Sequence, residues 1–327
     1  MTGRVVYLNG EWVPESEARI SIYDSALMFG DMVFEMTRSF NKGQFKLREH
    51  LVRLYTGMRY LRIPEPVSID RMEELCLEAV ERNDAGFDES DEHRLMINVS
   101  RGPLAIYAHV FGGRLEPTLA IADFPLKWTV AGMGPLFDTG INAVVPSQRA
   151  IPAQLLDPKV KNRSRLYYMV ANIEVSNWKG DDNWALLLDP DGFVAEGTGD
   201  NFFIVKDGRL ETPEARNILR GISRAYVMQE LATELGIPCV ERNIELYDVM
   251  TADEAFMTGT PFCLLPVTRI NGLRIGDGAA GQVTRRLLDR WSENVGLDIE
   301  GQIKAWGEEI ARARDAGPTP YQFSATE

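Results

Sequence analysis

Glu196-Gly197-Thr198-Gly199-Asp200-Asn201 sets an acid directly after a strand-like run and follows it with two closely spaced glycines. Such glycines let a backbone bend sharply and approach a ligand, while the strand end holds the Glu196 carboxylate in place. A tight polar turn between two hairpins accounts for the same residues. Further on, Leu219-Arg220-Gly221-Ile222-Ser223-Arg224 leads into an amphipathic helix. Free N–H groups and the Ser223 hydroxyl would then stand at a helix start, which suits a phosphate. Ordinary helix capping has the same look. Thr258-Gly259-Thr260-Pro261 ends a strand candidate and would add donors to the same anion. The third feature is Pro158-Lys159-Val160-Lys161-Asn162-Arg163-Ser164-Arg165-Leu166-Tyr167-Tyr168. A lysine beside a helix start, with arginines nearby, can have its ammonium disfavoured and become a nucleophilic amine. A solvated basic patch is the plainer reading. Taken singly, each feature stays open between a site and a surface.

The elements that must position these residues follow from periodicity. Val5 to Val13 reads as a hairpin turned by Asn9-Gly10, and Met32 to Phe40 as a strand turned by Asn41-Lys42-Gly43. Leu47, Leu51, Leu54, Met58 and Leu61 recur at helical steps, and Ile69 to Arg82 forms a second amphipathic helix. Strands follow at Arg94 to Ser100 and Thr118 to Ile121. Phe124 to Asp138 loses its periodicity and carries glycine and proline, as an interdomain connection would. Two hairpins come next: Trp184 to Leu188 returning as Phe193 to Ala195, and Phe202 to Val205 returning as Arg209 to Thr212. Helices are expected at Arg163 to Trp178, Ile222 to Leu235, Val283 to Asn294 and Ile303 to Asp315. The expected organisation is α+β: a small domain over 1–124, a loop over 125–138, a larger domain over 139–300, and a helix and tail over 301–327. Pro318 and Pro320 suggest a frayed end.

Composition narrows the chemistry. The 327 residues carry 35 Lys+Arg against 48 Asp+Glu, a net charge of -13 that argues against nucleic acid and anionic membranes as partners. Apolar runs fall far short of a membrane-spanning length, and the first residues form no apolar signal core, so a cytoplasmic protein is expected. With 3 cysteines and 3 histidines, neither a disulfide framework nor a His-rich metal cluster is expected, and no GxSxG elbow occurs. Chemistry built on lysine, carboxylates and a borrowed cofactor is what remains.

The combination and order of the three features resemble the class IV aminotransferases, fold type IV pyridoxal-phosphate enzymes of the branched-chain and D-amino-acid superfamily. The resemblance runs from about Tyr7 to Leu297. Its most specific part is Glu196 to Phe203 with Arg209-Leu210-Glu211-Thr212-Pro213 and Arg220-Gly221-Ile222-Ser223-Arg224, similar to the family's E-G-x-x-x-N-[IL]-F, L-x-T-P and G-I-[TS]-R run. Gly30 to Glu35 and Arg48 to Leu54 are similar to two N-terminal family motifs. The resemblance implies a two-domain fold type IV architecture and a homodimer with subunit-shared pockets between the domains. It implies that Lys161 forms a Schiff base with pyridoxal phosphate and then moves the substrate proton. Lys159 is the competitor; Lys161 is preferred because Tyr167, six residues on, then falls where a tyrosine bonds the cofactor O3′. Glu196 would pair with the pyridine nitrogen, with Asn201 beside it. Arg53 would bind the phosphate with Gly221, Ile222, Ser223 and Thr260.

The substrate is less sharply indicated. Where the branched-chain enzymes read Phe-Glu-Gly and K-x-x-G-N-Y, this chain has Phe34-Glu35-Met36 and Lys161-Asn162-Arg163-Ser164-Arg165-Leu166-Tyr167. It keeps the Val99-Ser100-Arg101-Gly102 strand end of the D-amino-acid enzymes, yet lacks the arginine of their Arg-x-His trap, with His109 near that place. A pocket of Phe29, Phe34, Met36 and Tyr107, bounded by Gly199 and Pro261, would suit a hydrophobic amino acid or an amine. Arg38 or Arg101 would supply a carboxylate contact, unless both serve as plain strand-end residues. The leading expectation is a transaminase between a branched-chain or other hydrophobic amino acid and a 2-oxo acid. The alternatives are an aminodeoxychorismate lyase-type elimination, a D-amino-acid or (R)-amine transaminase, and a silent phosphate-ligand binding protein.

Overall fold

The computed structural model describes residues 3–180 and 182–311, and the expected frayed end at Pro318 and Pro320 lies outside them. The chain divides into two units, Met1–Leu126 with Val160–Arg165, and Lys127–Lys159 with Leu166–Glu327. Mixed helices and strands in each make the fold α+β, as the periodicity predicts.

In the first unit β1 (Val5–Leu8) and β2 (Glu11–Pro14) form the expected hairpin, with Asn9 and Gly10 at positive φ. A short helix α1 (Ser25–Phe29) leads to β3 (Met32–Met36). The expected strand to Phe40 breaks there. Buried Glu92 accepts from the Ser39 hydroxyl and from the N–H groups of Asn41 and Lys42, which folds β4 (Ser39–Phe40) and β5 (Gly43–Gln44) into a separate hairpin. Helices α2 (Leu47–Leu61) and α3 (Ile69–Asp84) precede β6 (His93–Ser100) and β7 (Thr118–Pro125), the latter longer than its periodicity suggests. The antiparallel sheet runs β2-β1-β7-β6-β3. Its alternation is two-faced: Val33, Ile97, Val99, Leu119 and Ile121 join Leu51, Leu54, Met58, Met72 and Leu75 of the helices in the core. Phe34, Met36, Met96, Asn98, Ala120 and Ala122 alternate onto the other, more open face.

Residues 160–165 complete this unit as an addition to the edge of β3. Asn162 bridges Val33, Phe34 N donates to Lys161 O at 3.0 Å, and Arg163 N donates to Met32 O at 2.9 Å. That pairing consumes the backbone groups a helix would need, so α6 starts at Leu166 rather than Arg163.

The second unit corrects the reading of 125–138 as a loop. It holds α4 (Lys127–Val130), a 3-10 turn at Ala131–Met133 and α5 (Leu136–Thr139), with Val130, Met133, Leu136 and Phe137 buried. Prolines and glycines hid these short turns, since Gly134 and Pro135 stand at their ends and Gly132 lies within one, rather than in an open linker. Then come β8 (Ile141–Val144), α6 (Leu166–Val175), β9 (Asn183–Leu188), β10 (Val194–Gly197), β11 (Asn201–Lys206) and β12 (Arg209–Thr212). The helix foreseen at Ile222 to Leu235 is present as α7 (Ile222–Tyr226), a π-helical turn at Val227–Leu231 and α8 (Ala232–Glu234). The remaining elements are β13 (Cys239–Glu241), α9 (Leu246–Met250), β14 (Glu254–Gly259), β15 (Cys263–Ile270), β16 (Leu273–Arg274), α10 (Gln282–Val295) and α11 (Ile299–Ala311). The sheet order is β10-β9-β8-β15-β14-β11-β12-β13, with β16 on β15. A further pairing of Glu196 in β10 with Asn201 in β11 closes the strands from β10 to β11 into a ring. Among the described residues no helix is long and apolar enough to cross a membrane.

Candidate active site

The closing pair of that ring carries the acid singled out in the sequence. Glu196 is 4% exposed. Its Oε1 accepts from the Tyr168 hydroxyl at 2.9 Å, and its Oε2 accepts from Asn201 Nδ2 at 3.0 Å and from Leu219 N at 2.9 Å. A buried carboxylate held by several donors is fixed in its aim. Asn201 also donates to Leu219 O at 3.0 Å, and its Oδ1 lies so close over Gly221 that a Cβ there would meet it at 2.1 Å. In the β11–β14 ladder Asn201 stands opposite Thr258, two residues before Thr260, and Gly199 O approaches Gly259. The acid turn, the 219–223 helix start and the 258–260 turn therefore meet at one end of the second sheet. Gly221 caps α7 without a side-chain hydrogen bond, and Ser223 is buried in its first turn.

Two members of this cluster were not anticipated. Tyr168 reaches Glu196, and its ring stands 4.3 Å from that of Tyr167. The helical spacing of buried Tyr168, Ala171, Asn172 and Val175 was the available signal. Asp200 is the other. Its carboxyl presses on Gly197, where a Cβ would be 2.1 Å from Oδ1, and that oxygen is buried without a hydrogen-bond partner. Burial pushes the Asp200 carboxyl up to about 8, and the neighbouring Glu196 charge adds to the rise. In sequence it passed for a polar turn residue.

In the first unit Lys161 Nζ stands over the Phe34 ring, 4.9 Å from its centroid. Lys159 is occupied otherwise: its Nζ pairs with Asp157 at 2.8 Å and donates to Arg216 O at 3.0 Å. Arg53 grips fully buried Glu35, Nε to Oε1 at 2.6 Å and a terminal nitrogen to Oε2 at 2.7 Å, while His50 Nδ1 lies 2.7 Å from Oε2. Burial alone would raise the Glu35 carboxyl, but Arg53 and His50 hold it well below the usual range. Burial pushes His50 down against the pull of Glu35.

The residues named for a substrate pocket fare unevenly. Phe34 is buried, and Met36 has the Arg94 guanidinium 3.7 Å from its sulfur. Phe29 is 67% exposed, His109 and Gly199 are exposed, and Tyr107 packs on Tyr23 at 4.7 Å. Thr260 and Pro261 are half-buried. Arg101 makes two bonds to Asp31 and donates to the carbonyls of Leu61 and Arg62. Arg38, 1% exposed, donates to Ser39 O and stacks on Phe40 at 3.8 Å. Both arginines are thus tied into the fold. Among the described residues no group of three or more His, Cys, Asp and Glu is placed to hold a metal ion.

The second unit thus brings a locked carboxylate and a helix start together, and the first carries Lys161 on the edge of β3. Residues 32–270 match the family model described as Amino-transferase class IV, and the chain belongs to that family. It is 38% identical over 291 residues to the putative branched-chain-amino-acid aminotransferase of Methanocaldococcus jannaschii, covering 88% of this chain and 95% of the relative. It is 31% identical to the branched-chain-amino-acid aminotransferase of Escherichia coli (strain K12), covering 86% and 90%. Among solved structures, the branched-chain amino acid aminotransferase from Thermobaculum terrenum in its PLP-form superposes with a TM-score of 0.76 at 27% identity, over 94% of this chain and 97% of that one. The protein is a fold type IV aminotransferase.

Proposed function

We propose that the chain uses pyridoxal phosphate to transfer an amino group between a branched-chain or similar hydrophobic amino acid and a 2-oxo acid, with Lys161 as the catalytic amine. The cofactor supplies an aldehyde that a lysine amine can capture and a ring that draws electrons from the substrate Cα. The residues present fit such a group. Buried Glu196, with Asp200 beside it and one Asp200 oxygen buried without a partner, makes an acidic end suited to a protonated ring nitrogen, and this pairing is the observation that carries the reading. Tyr168, Asn201 and Leu219 N hold the Glu196 carboxylate in place, and it would pair with that nitrogen. Gly221, Ile222, Ser223 and Thr260 would receive the phosphate, with Arg53 held straight by Glu35 as a further cation. Lys161 Nζ would hold and move the proton taken from the substrate Cα.

The substrate class rests on the two relatives above, both branched-chain enzymes by name, and a homodimer and a cytoplasmic setting belong to the same proposal. Borohydride reduction of the protein with pyridoxal phosphate, followed by peptide mapping, tests it. The expected result is a pyridoxyl label on Lys161 and amino transfer from leucine, isoleucine or valine to 2-oxoglutarate. A label elsewhere, or none, would overturn the assignment.

A further inference from the structure

The acid turn carries two carboxyls where the proposed pairing with a ring nitrogen needs one. Glu196 opens the turn and Asp200 ends it, with Gly197 N donating to Asp200 O at 3.1 Å. Gly197 has no Cβ, and this lets the Asp200 carboxyl lie against the strand end that holds Glu196. The groups bonded to the turn are the Tyr168 hydroxyl, Asn201 Nδ2 and Leu219 N on Glu196, and Asn172 Oδ1, which accepts from Thr198 Oγ1 at 3.2 Å. None of these four carries a positive charge. Two polar atoms here are buried without a hydrogen-bond partner among the described residues: Asp200 Oδ1, and Nδ2 of Asn172, a residue only 9% exposed. Such atoms are rare in folded chains and mark a place that a further group completes. An ionised carboxylate with an oxygen cut off from water and from donors is costly, and a proton removes the charge. Burial accordingly raises the Asp200 carboxyl to about 8; Glu196 adds to the rise and the Gly199 N–H opposes it.

We infer that Asp200 stores a proton in the ligand-free enzyme and gives it up when the cofactor's ring nitrogen is bound, so that cofactor binding is coupled to the ionisation of this second carboxyl. The inference rests on the proposed pairing of Glu196 with that nitrogen. Where the nitrogen arrives unprotonated, the Asp200 O–H bond is broken and an N–H bond is formed, so an acid and a neutral ring become a carboxylate and a cation. The net charge of the site is unchanged, and no charge is buried without its opposite. Where the nitrogen arrives protonated, the Asp200 proton leaves to solvent. In both cases Asp200 ends ionised beside a cation, which favours the carboxylate.

Calorimetric titration of the ligand-free protein with pyridoxal phosphate, in cacodylate and in HEPES at about pH 7, counts the protons drawn from buffer per cofactor bound. Asp200→Asn keeps the shape of the side chain and removes its proton, so it should draw about half a proton or more beyond the parent. The analogue of pyridoxal phosphate with C–H in place of the ring nitrogen should give the same count in both proteins. Infrared difference spectra decide the matter without the variant, should it fail to fold. In parent protein carrying a heavy carbon isotope in its aspartate carboxyls, pyridoxal phosphate should remove an isotope-shifted carbonyl band of a protonated carboxyl, and the analogue should leave it. Equal counts in parent and variant, or a carboxyl band that persists on binding, overturn the inference. A difference that survives with the analogue does the same. Where these results come with borohydride labelling of Lys161, the proposed function stands and the inference alone falls. Failure of the parent to bind pyridoxal phosphate removes both.

Discussion

Asp200 should make the ligand-free enzyme less stable as the solution turns alkaline. Its folded pKa of about 8 lies above the ordinary 3.8, so the folded state holds a proton that the unfolded chain releases. Stability from this group is complete below pH 4, falls as pH rises, and levels off beyond about pH 8. The span from 3.8 to about 8, at ~1.4 kcal/mol per pH unit, sets a ceiling of roughly 6 kcal/mol. The residue is half-buried, and hydration with relaxation of the turn reduces this to about 2–3 kcal/mol. Asp200→Asn keeps the shape and removes the titration. Denaturation of the ligand-free protein at about pH 4, 6 and 9 should show the variant nearly equal to the parent at the acid end and more stable by about 2 kcal/mol at the alkaline end. Parallel pH profiles would refute the reasoning, because they would mean that the carboxyl is hydrated and ionised where it stands. Added pyridoxal phosphate should flatten the parent's slope, since a protonated ring nitrogen offers the missing positive charge.

Glu35 works in the opposite sense. Its lowered pKa gives stability that is present above about pH 4.5 and lost as pH falls, and Glu35→Gln should cost about 3–5 kcal/mol at pH 7 by stranding Arg53. Urea midpoints read both effects, and a variant as stable as the parent would show that the pair contributes nothing. Gly221→Ala places a methyl group 2.1 Å from Asn201 Oδ1 and should cost about 1–3 kcal/mol while loosening the Asn201 bond to Glu196. A thermal midpoint and transamination rate unchanged from the parent would count against that contact. Glu196→Gln should lower transamination by about 10²-fold or more, with the visible band of the bound cofactor shifted; an unshifted band and full rate would remove Glu196 from the ring nitrogen.

The sequence carried much of this because the local signals were strong. Asn9-Gly10 and the Leu47 to Leu61 spacing define their elements without help from the rest of the chain. The edge pairing of 161–163 was not legible, since residues 161–168 also read as a helix start and only β3, far earlier in the chain, claims their backbone groups. The same nonlocality hid the second role of the site residues. Glu196 could be chosen from its motif, but its partners Tyr168 and Leu219 come from separate segments. Arg101 looked available because an arginine at a strand end reveals nothing of Asp31, 70 positions back. Asp200 was concealed by its setting among turn residues, where an acid is ordinarily solvated.

The ring of strands in the second unit is shut by a single residue pair, and Glu196 is one half of it. A joint that short carries few backbone bonds, and local opening of it would move the carboxylate with the strand. A ligand held by Glu196 therefore acts as a rivet across the joint, and the closed ring gains stability with the logarithm of ligand concentration over its dissociation constant. On the proposed pairing of Glu196 with the cofactor, cofactor supply and the lifetime of the folded enzyme are tied together: a molecule that has lost its ligand is also one whose seam is easier to unfasten.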